Sequence, residues 1–129
     1  MALVAEHMTR DLLTISADAT LGEAAASMVD RGVGAAVVLE NETVTAILTE
    51  RDVMKAVASG SGGNAPAAEW MTRHPDTIEP ADTMDQAASL MIHGGYRHLP
   101  VVEDGRLVGI VSIRDLMRVA LEDRSPKGV

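Results

Sequence analysis

With 129 residues, 47% of them hydrophobic, the chain can bury one substantial core, and the absence of cysteine excludes disulfides, thiolate catalysis and cysteine metal sites. It has one Trp, one Tyr and no Phe, so Ala, Val, Leu, Ile and Met must fill the interior, which suits thin helices on small sheets. A formal net charge of −8 with no basic run argues against nucleic acid and anionic membrane surfaces as partners, and the lack of a leader or long apolar span predicts a cytoplasmic protein.

In chain order, a short strand is expected near Leu13 to Ser16, followed by a helix opened by the capping box Thr20-x-x-Glu23. Leu21, Ala24, Ala25, Met28 and Val29 recur at helical spacing, and Gly32 stops that helix. A hairpin follows, with strands over Ala35 to Leu39 and Val44 to Leu48, and then a helix beginning at Thr49. The stretch Ser59 to Pro66 is Gly-rich and without periodicity, and reads as a flexible surface connection.

The second half repeats the first at a constant offset of 63, with no gap from Met8-Thr9-Arg10 against Met71-Thr72-Arg73 through Met54 against Met117. It therefore predicts a strand at Thr77 to Glu79, a helix opened by Thr83-x-x-Gln86 with Met84, Ala87, Ala88, Met91 and Ile92 on its apolar face, and a stop at Gly95. Strands over Leu99 to Val102 and Leu107 to Val111, turned at Asp104-Gly105, lead into a helix at Ser112, and the tail from Asp123 to Val129 reads as frayed. Each copy is a β-α-β-β-α unit of about fifty residues, too small to cover its sheet alone. The expected fold class is α+β, two such repeats packed sheet to sheet with pseudo-twofold symmetry: a single module over 1–129 with copies at 8–58 and 71–121 and a linker at 59–70.

Both copies close on a strand, a hydroxyl, two residues and a carboxylate: Thr49-Glu50-Arg51-Asp52 and Ser112-Ile113-Arg114-Asp115. Helix capping alone accounts for the hydroxyl and the acid. It does not call for Arg51 and Arg114 between them. A helix mouth that carries a carboxylate and a guanidinium can accept from hydroxyls and attract a phosphate together.

These two copies, with Leu99-Pro100-Val101-Val102 in the second, resemble a CBS-domain pair, or Bateman module, over nearly the whole chain. The resemblance implies a regulatory module that senses adenosine-containing ligands such as AMP, ADP, ATP, NAD or S-adenosylmethionine in clefts between the repeats, in a stand-alone two-repeat form whose regulated protein partner is unknown. It places Asp52 with Thr49, and Asp115 with Ser112, on ribose hydroxyls. It completes the Asp52 site with Thr77, Ile78, Tyr96, Arg97, His98, Pro100 and Arg114, and the Asp115 site with Thr14, Ile15, Arg51 and the Val33 to Val37 segment. The richer cation set makes the Asp52 site the better one for a nucleotide. The glycine that precedes the hydroxyl in the family pattern is present as Gly109 and replaced by Ala46, a change expected to tighten the Asp52 corner.

The four histidines, His7, His74, His93 and His98, have no chelating spacing, so no metal site is expected, and no catalytic constellation stands out, so the chain is read as no enzyme. The alternative to a nucleotide sensor is a structural dimerisation or partner-docking module whose helix-mouth acids only cap. A homodimer is expected, since one sheet-to-sheet interface cannot cover two amphipathic helices per copy, with Leu21, Met28, Met54, Met84, Met91 and Met117 as contact candidates.

Overall fold

The computed structural model describes residues 1–124. The chain forms two compact units, one of Asp11–Pro75 and the other of Met1–Arg10 together with the chain from Asp76 onward. In the first, β1 (Thr14–Ile15), β2 (Ala35–Glu40), β3 (Thr43–Thr49) and β4 (Thr72–Arg73) lie in that order in one sheet, β1 parallel to β2 and the remaining pairs antiparallel. Helices α2 (Leu21–Arg31) and α3 (Glu50–Ala58) and a single 3-10 turn, Ala67–Glu69, complete it. In the other unit, α1 (Val4–His7) precedes α4 (Met84–Gly94), the hairpin β5 (His98–Glu103) and β6 (Arg106–Ser112), and α5 (Ile113–Arg124).

The local signals behave as expected. Thr20 and Thr83 accept from the backbone N–H of Glu23 and Gln86, whose side chains return the bond, and Gly32 and Gly95 close the two helices in the left-handed conformation that a Cβ disfavours. Leu21, Ala24 and Met28 of α2, and Met84, Ala87 and Met91 of α4, are buried. Leu21 and Ala24 pack with Val38, Ala46 and Leu48 in one unit, and Met84, Ala87 and Met91 with Leu99, Val101 and Val111 in the other, giving each unit its own aliphatic core. The strand expected at Thr77 to Glu79 shrinks to one parallel bridge, Ile78 to Val101, which is the position of the β1 pairing shifted by the repeat offset. Helix α5 runs two residues into the stretch expected to fray, and 125–129 lies outside the described residues.

The duplication reaches further toward the N-terminus than Met8. The backbone N–H of Met84 donates to Ala2 O at 2.9 Å, and Leu21 N–H donates to Ala65 O at 2.9 Å. Likewise Val4 N–H meets Asp82 O at 2.8 Å, as Ala67 N–H meets Ala19 O at 2.9 Å. Val4 and Ala67 are both fully buried. Thr9 then bridges Ile110, as Thr72 pairs with Ile47. The opening segment of each copy thus forms the outer strand on the other copy's hairpin. The stretch read as a flexible connection is tied down in consequence: Ser61 N–H bonds Ala56 O, Gly22 N–H bonds Gly63 O, and Ala67 sits in the core.

Gly109 is where that outer strand comes closest. A Cβ there would lie 2.7 Å from Met8 Sδ and 3.1 Å from Thr9 O, whereas the equivalent Ala46 keeps its methyl wholly buried in the core of its own unit. The glycine therefore seats the N-terminal segment against β6. Gly109→Ala should cost about 1–3 kcal/mol through overpacking, and Ala46→Gly about 1 kcal/mol through a lost buried methyl and a looser backbone. Urea denaturation of the two variants measures both.

Candidate functional site

The two closing motifs fold into nearly identical corners. At the mouth of α3, Thr49 N–H donates to Asp52 Oδ2 at 2.9 Å, Thr49 Oγ1 donates to the same oxygen at 3.1 Å, and Asp52 N–H donates to Thr49 Oγ1 at 3.3 Å. At α5, Ser112 and Asp115 repeat these three contacts at 2.9, 3.1 and 3.3 Å. Each carboxylate is held by backbone and hydroxyl at the mouth of a helix. The preceding β-strand ends directly at the hydroxyl, so the sheet sets where the acid stands.

The corners differ in what else reaches the acid. Asp115 is only 2% exposed; Thr9 Oγ1 lies 3.3 Å from its Oδ1 and 3.4 Å from its Oδ2, and Arg118 Nη1 lies 3.5 Å from Oδ1. Asp52 is 8% exposed, and among the described residues its Oδ1 accepts no hydrogen bond. One oxygen of Asp52 is thus held while the other remains uncommitted. Such a carboxylate can accept from a pair of vicinal hydroxyls.

The other candidate residues divide between the units. Thr14, Ile15 and Arg51 share a unit with Thr49 and Asp52; Thr77, Ile78, Tyr96, Arg97, His98, Pro100 and Arg114 share one with Ser112 and Asp115. Arg51 and Arg114 stand exposed on the first turns of α3 and α5. Arg97 is exposed, and its carbonyl accepts from Ile113 N–H at 2.9 Å, which ties it to the mouth of α5. The equivalent carbonyl at α3 belongs to Gly34, which accepts from Glu50 N–H at 3.0 Å and brings no charge. Ile78 and Pro100 are buried, and Ile78 N–H donates to Pro100 O at 3.0 Å, which ties their backbones together. Thr9 and Arg118 were not among the candidates. Thr9 stood only as part of the repeated Met-Thr-Arg signature, and its reach to Asp115 spans a sequence separation that no local pattern encodes.

Tyr96 packs its ring over Gly94, where a Cβ would collide with it, and its hydroxyl donates to Asp76 Oδ2 at 2.8 Å. Burial and the adjacent carboxylate, in that order, push its phenol up to about 12. No group of His, Asp and Glu able to hold a metal ion occurs among the described residues, and no described helix is long and apolar enough to cross a membrane.

Two βαββα-type repeats, each ending in a hydroxyl–carboxylate corner at a helix mouth, define a tandem-repeat α+β module. The sequence model of the CBS domain matches residues 4–59 and 67–122, and the chain belongs to that family. It is 35% identical over 90% of its length to the CBS domain-containing protein YhcV of Bacillus subtilis, of which the match covers 84%. A CBS domain protein of Pyrobaculum aerophilum, solved in complex with AMP, superposes with a TM-score of 0.85 at 31% identity, over 93% of this chain and 96% of that one. The CBS domain pair of protein MJ0100, solved with 5′-methylthioadenosine and S-adenosyl-L-methionine, gives a TM-score of 0.90 at 25% identity, over 96% and 99% of the two chains.

The chain has a single tyrosine, so its phenolate can be followed by ultraviolet absorbance without ambiguity. The raised value means that the folded state holds the proton more tightly than the unfolded chain does. The associated stability is therefore complete below pH 10 and is lost as pH rises toward about 12. Spectrophotometric titration should place the midpoint near 12, and Asp76→Ala should bring it down.

Proposed function

We propose that this chain is a regulatory module that binds an adenosine-containing ligand, with Asp52 and Asp115 as the two candidate ribose acceptors. The observation that carries the reading is the pair of carboxylates locked by Thr49 and Ser112 at helix mouths, where capping is satisfied through one oxygen and Asp52 keeps the other. The relatives solved with AMP and with 5′-methylthioadenosine and S-adenosyl-L-methionine support it, since all three ligands share adenine and ribose. Thr14, Ile15, Thr77, Ile78, Tyr96, His98 and Pro100 are proposed as the surroundings of the base. Arg51, Arg97 and Arg114 are proposed as phosphate contacts. The reading is regulatory and not catalytic, acting on a protein partner in the cytoplasm.

A thermal-shift series with AMP, ADP, ATP, NAD, 5′-methylthioadenosine and S-adenosylmethionine tests this. A true ligand at about a hundred times its dissociation constant should add about 2.7 kcal/mol of stability. Arg97→Ala should weaken AMP more than adenosine, because a guanidinium–phosphate contact contributes about 1.5–3 kcal/mol. No stabilisation by any of the six would favour the structural docking module.

The same reading includes a homodimer, and the structure revises its contact residues. Leu21, Met28, Met84 and Met91 are at most 5% exposed and belong to the cores of their units. Of the six candidates Met54 and Met117 are exposed, and Val29 and Val57 on α2 and α3 and Ile92 and Leu121 on α4 and α5 are exposed with them. Sedimentation at tens of micromolar should give a dimer, and Met54→Glu with Met117→Glu should weaken it roughly tenfold or more by burying charge. A monomeric wild type would refute the association.

A further inference from the structure

The two acceptors are built from equivalent residues, yet among the described residues Asp52 alone keeps an oxygen without a hydrogen bond. Thr9 and Thr72 occupy the same position in their copies, each on an outer strand beside the hairpin that ends in the acid. Thr9 is half-buried and turns its hydroxyl onto both oxygens of Asp115; Thr72 is exposed and makes no hydrogen bond to Asp52. Arg118 adds a second contact to Asp115, while Lys55, its equivalent on α3, forms no ion pair with Asp52. One further difference lies beside the two outer strands. Gly109 lets Met8 and Thr9 approach β6 more closely than a Cβ would tolerate, and Ala46 holds that place in the other copy.

We propose that Thr9 is a built-in occupant of the second ribose acceptor, so that the chain offers one open site, at Asp52, and keeps the Asp115 site closed by its own N-terminal segment. This rests on the adenosine reading above. A ribose approaching Asp115 must compete with the Thr9 hydroxyl for the carboxylate, and at Asp52 no described residue competes for Oδ1. Removing one hydrogen bond to a charged group should change affinity by about tenfold or more.

The decisive background is Asp52→Asn, in which Asp115 is the only acceptor left. Calorimetry with AMP should show one event per wild-type chain and little or none in Asp52→Asn. Adding Thr9→Val should restore or tighten binding by about tenfold or more, and adding Thr9→Ser, which keeps the hydroxyl, should not. If Thr9→Val leaves the Asp52→Asn protein unchanged, or if Asp115→Asn abolishes wild-type binding while Asp52→Asn spares it, the proposal is overturned. A ligand-free cycle separates this failure from that of the adenosine reading. In urea denaturation, Thr9→Val and Asp115→Asn should be non-additive while Thr72→Val and Asp52→Asn add. Additivity at Thr9 and Asp115 would remove the occupant, whereas coupling there without AMP binding to any variant would refute only the adenosine assignment.

Discussion

The interaction on which the remaining structure depends is the backbone pairing of each copy's opening segment with the other copy's hairpin. The Thr9–Ile110 and Thr72–Ile47 pairings supply the outer strand of each sheet, and behind them Val4 and Ala67 plug the two cores. Without that segment a hairpin and two helices would leave a sheet edge unpaired and an apolar pocket open beside α2 or α4. An unpaired edge of this kind is both unstable and prone to association. The Gly-rich connection serves this pairing: its carbonyls at Gly63 and Ala65 receive the first free N–H groups of α2, so it carries part of the capping that helix needs.

At the closing corners the same groups satisfy a structural requirement and create a chemical one. A helix start must find acceptors for its N–H groups, and a carboxylate at the third position supplies one. Only one oxygen is needed for that. The second oxygen is surplus to capping, and its fate distinguishes the two halves: Thr9 and Arg118 take it at Asp115, and nothing among the described residues takes it at Asp52. The two corners thus share one capping geometry and differ in which described side chains reach the second oxygen.

Gly109 and Ala46, equivalent positions in the two copies, sit in different surroundings. The expected effect of the alanine lay at the Asp52 corner. In the folded chain the Gly109 side faces Met8 and Thr9, and the Ala46 methyl is absorbed into the core with Leu48 and Ala67. The methionines show the same separation between local pattern and packing: Met28 and Met91 fill the interior as their helical spacing indicates, while Met54 and Met117, at equally matched positions, stand exposed.

By itself the sequence determined the duplication and its offset, the capping boxes at Thr20 and Thr83, the glycine stops at Gly32 and Gly95, both hairpins and the hydroxyl–carboxylate corners. All of these are encoded within a few residues, by helical spacing, turn chemistry or side-chain bonds to a neighbouring backbone. Only the tertiary structure decided that the opening segments cross to the other copy, that Ala67 is core and Ile78 pairs at a single position, and that Thr9 closes on Asp115 while Thr72 leaves Asp52 alone. Those outcomes depend on contacts between residues far apart in the chain, and such contacts leave no periodic trace in the order of the amino acids.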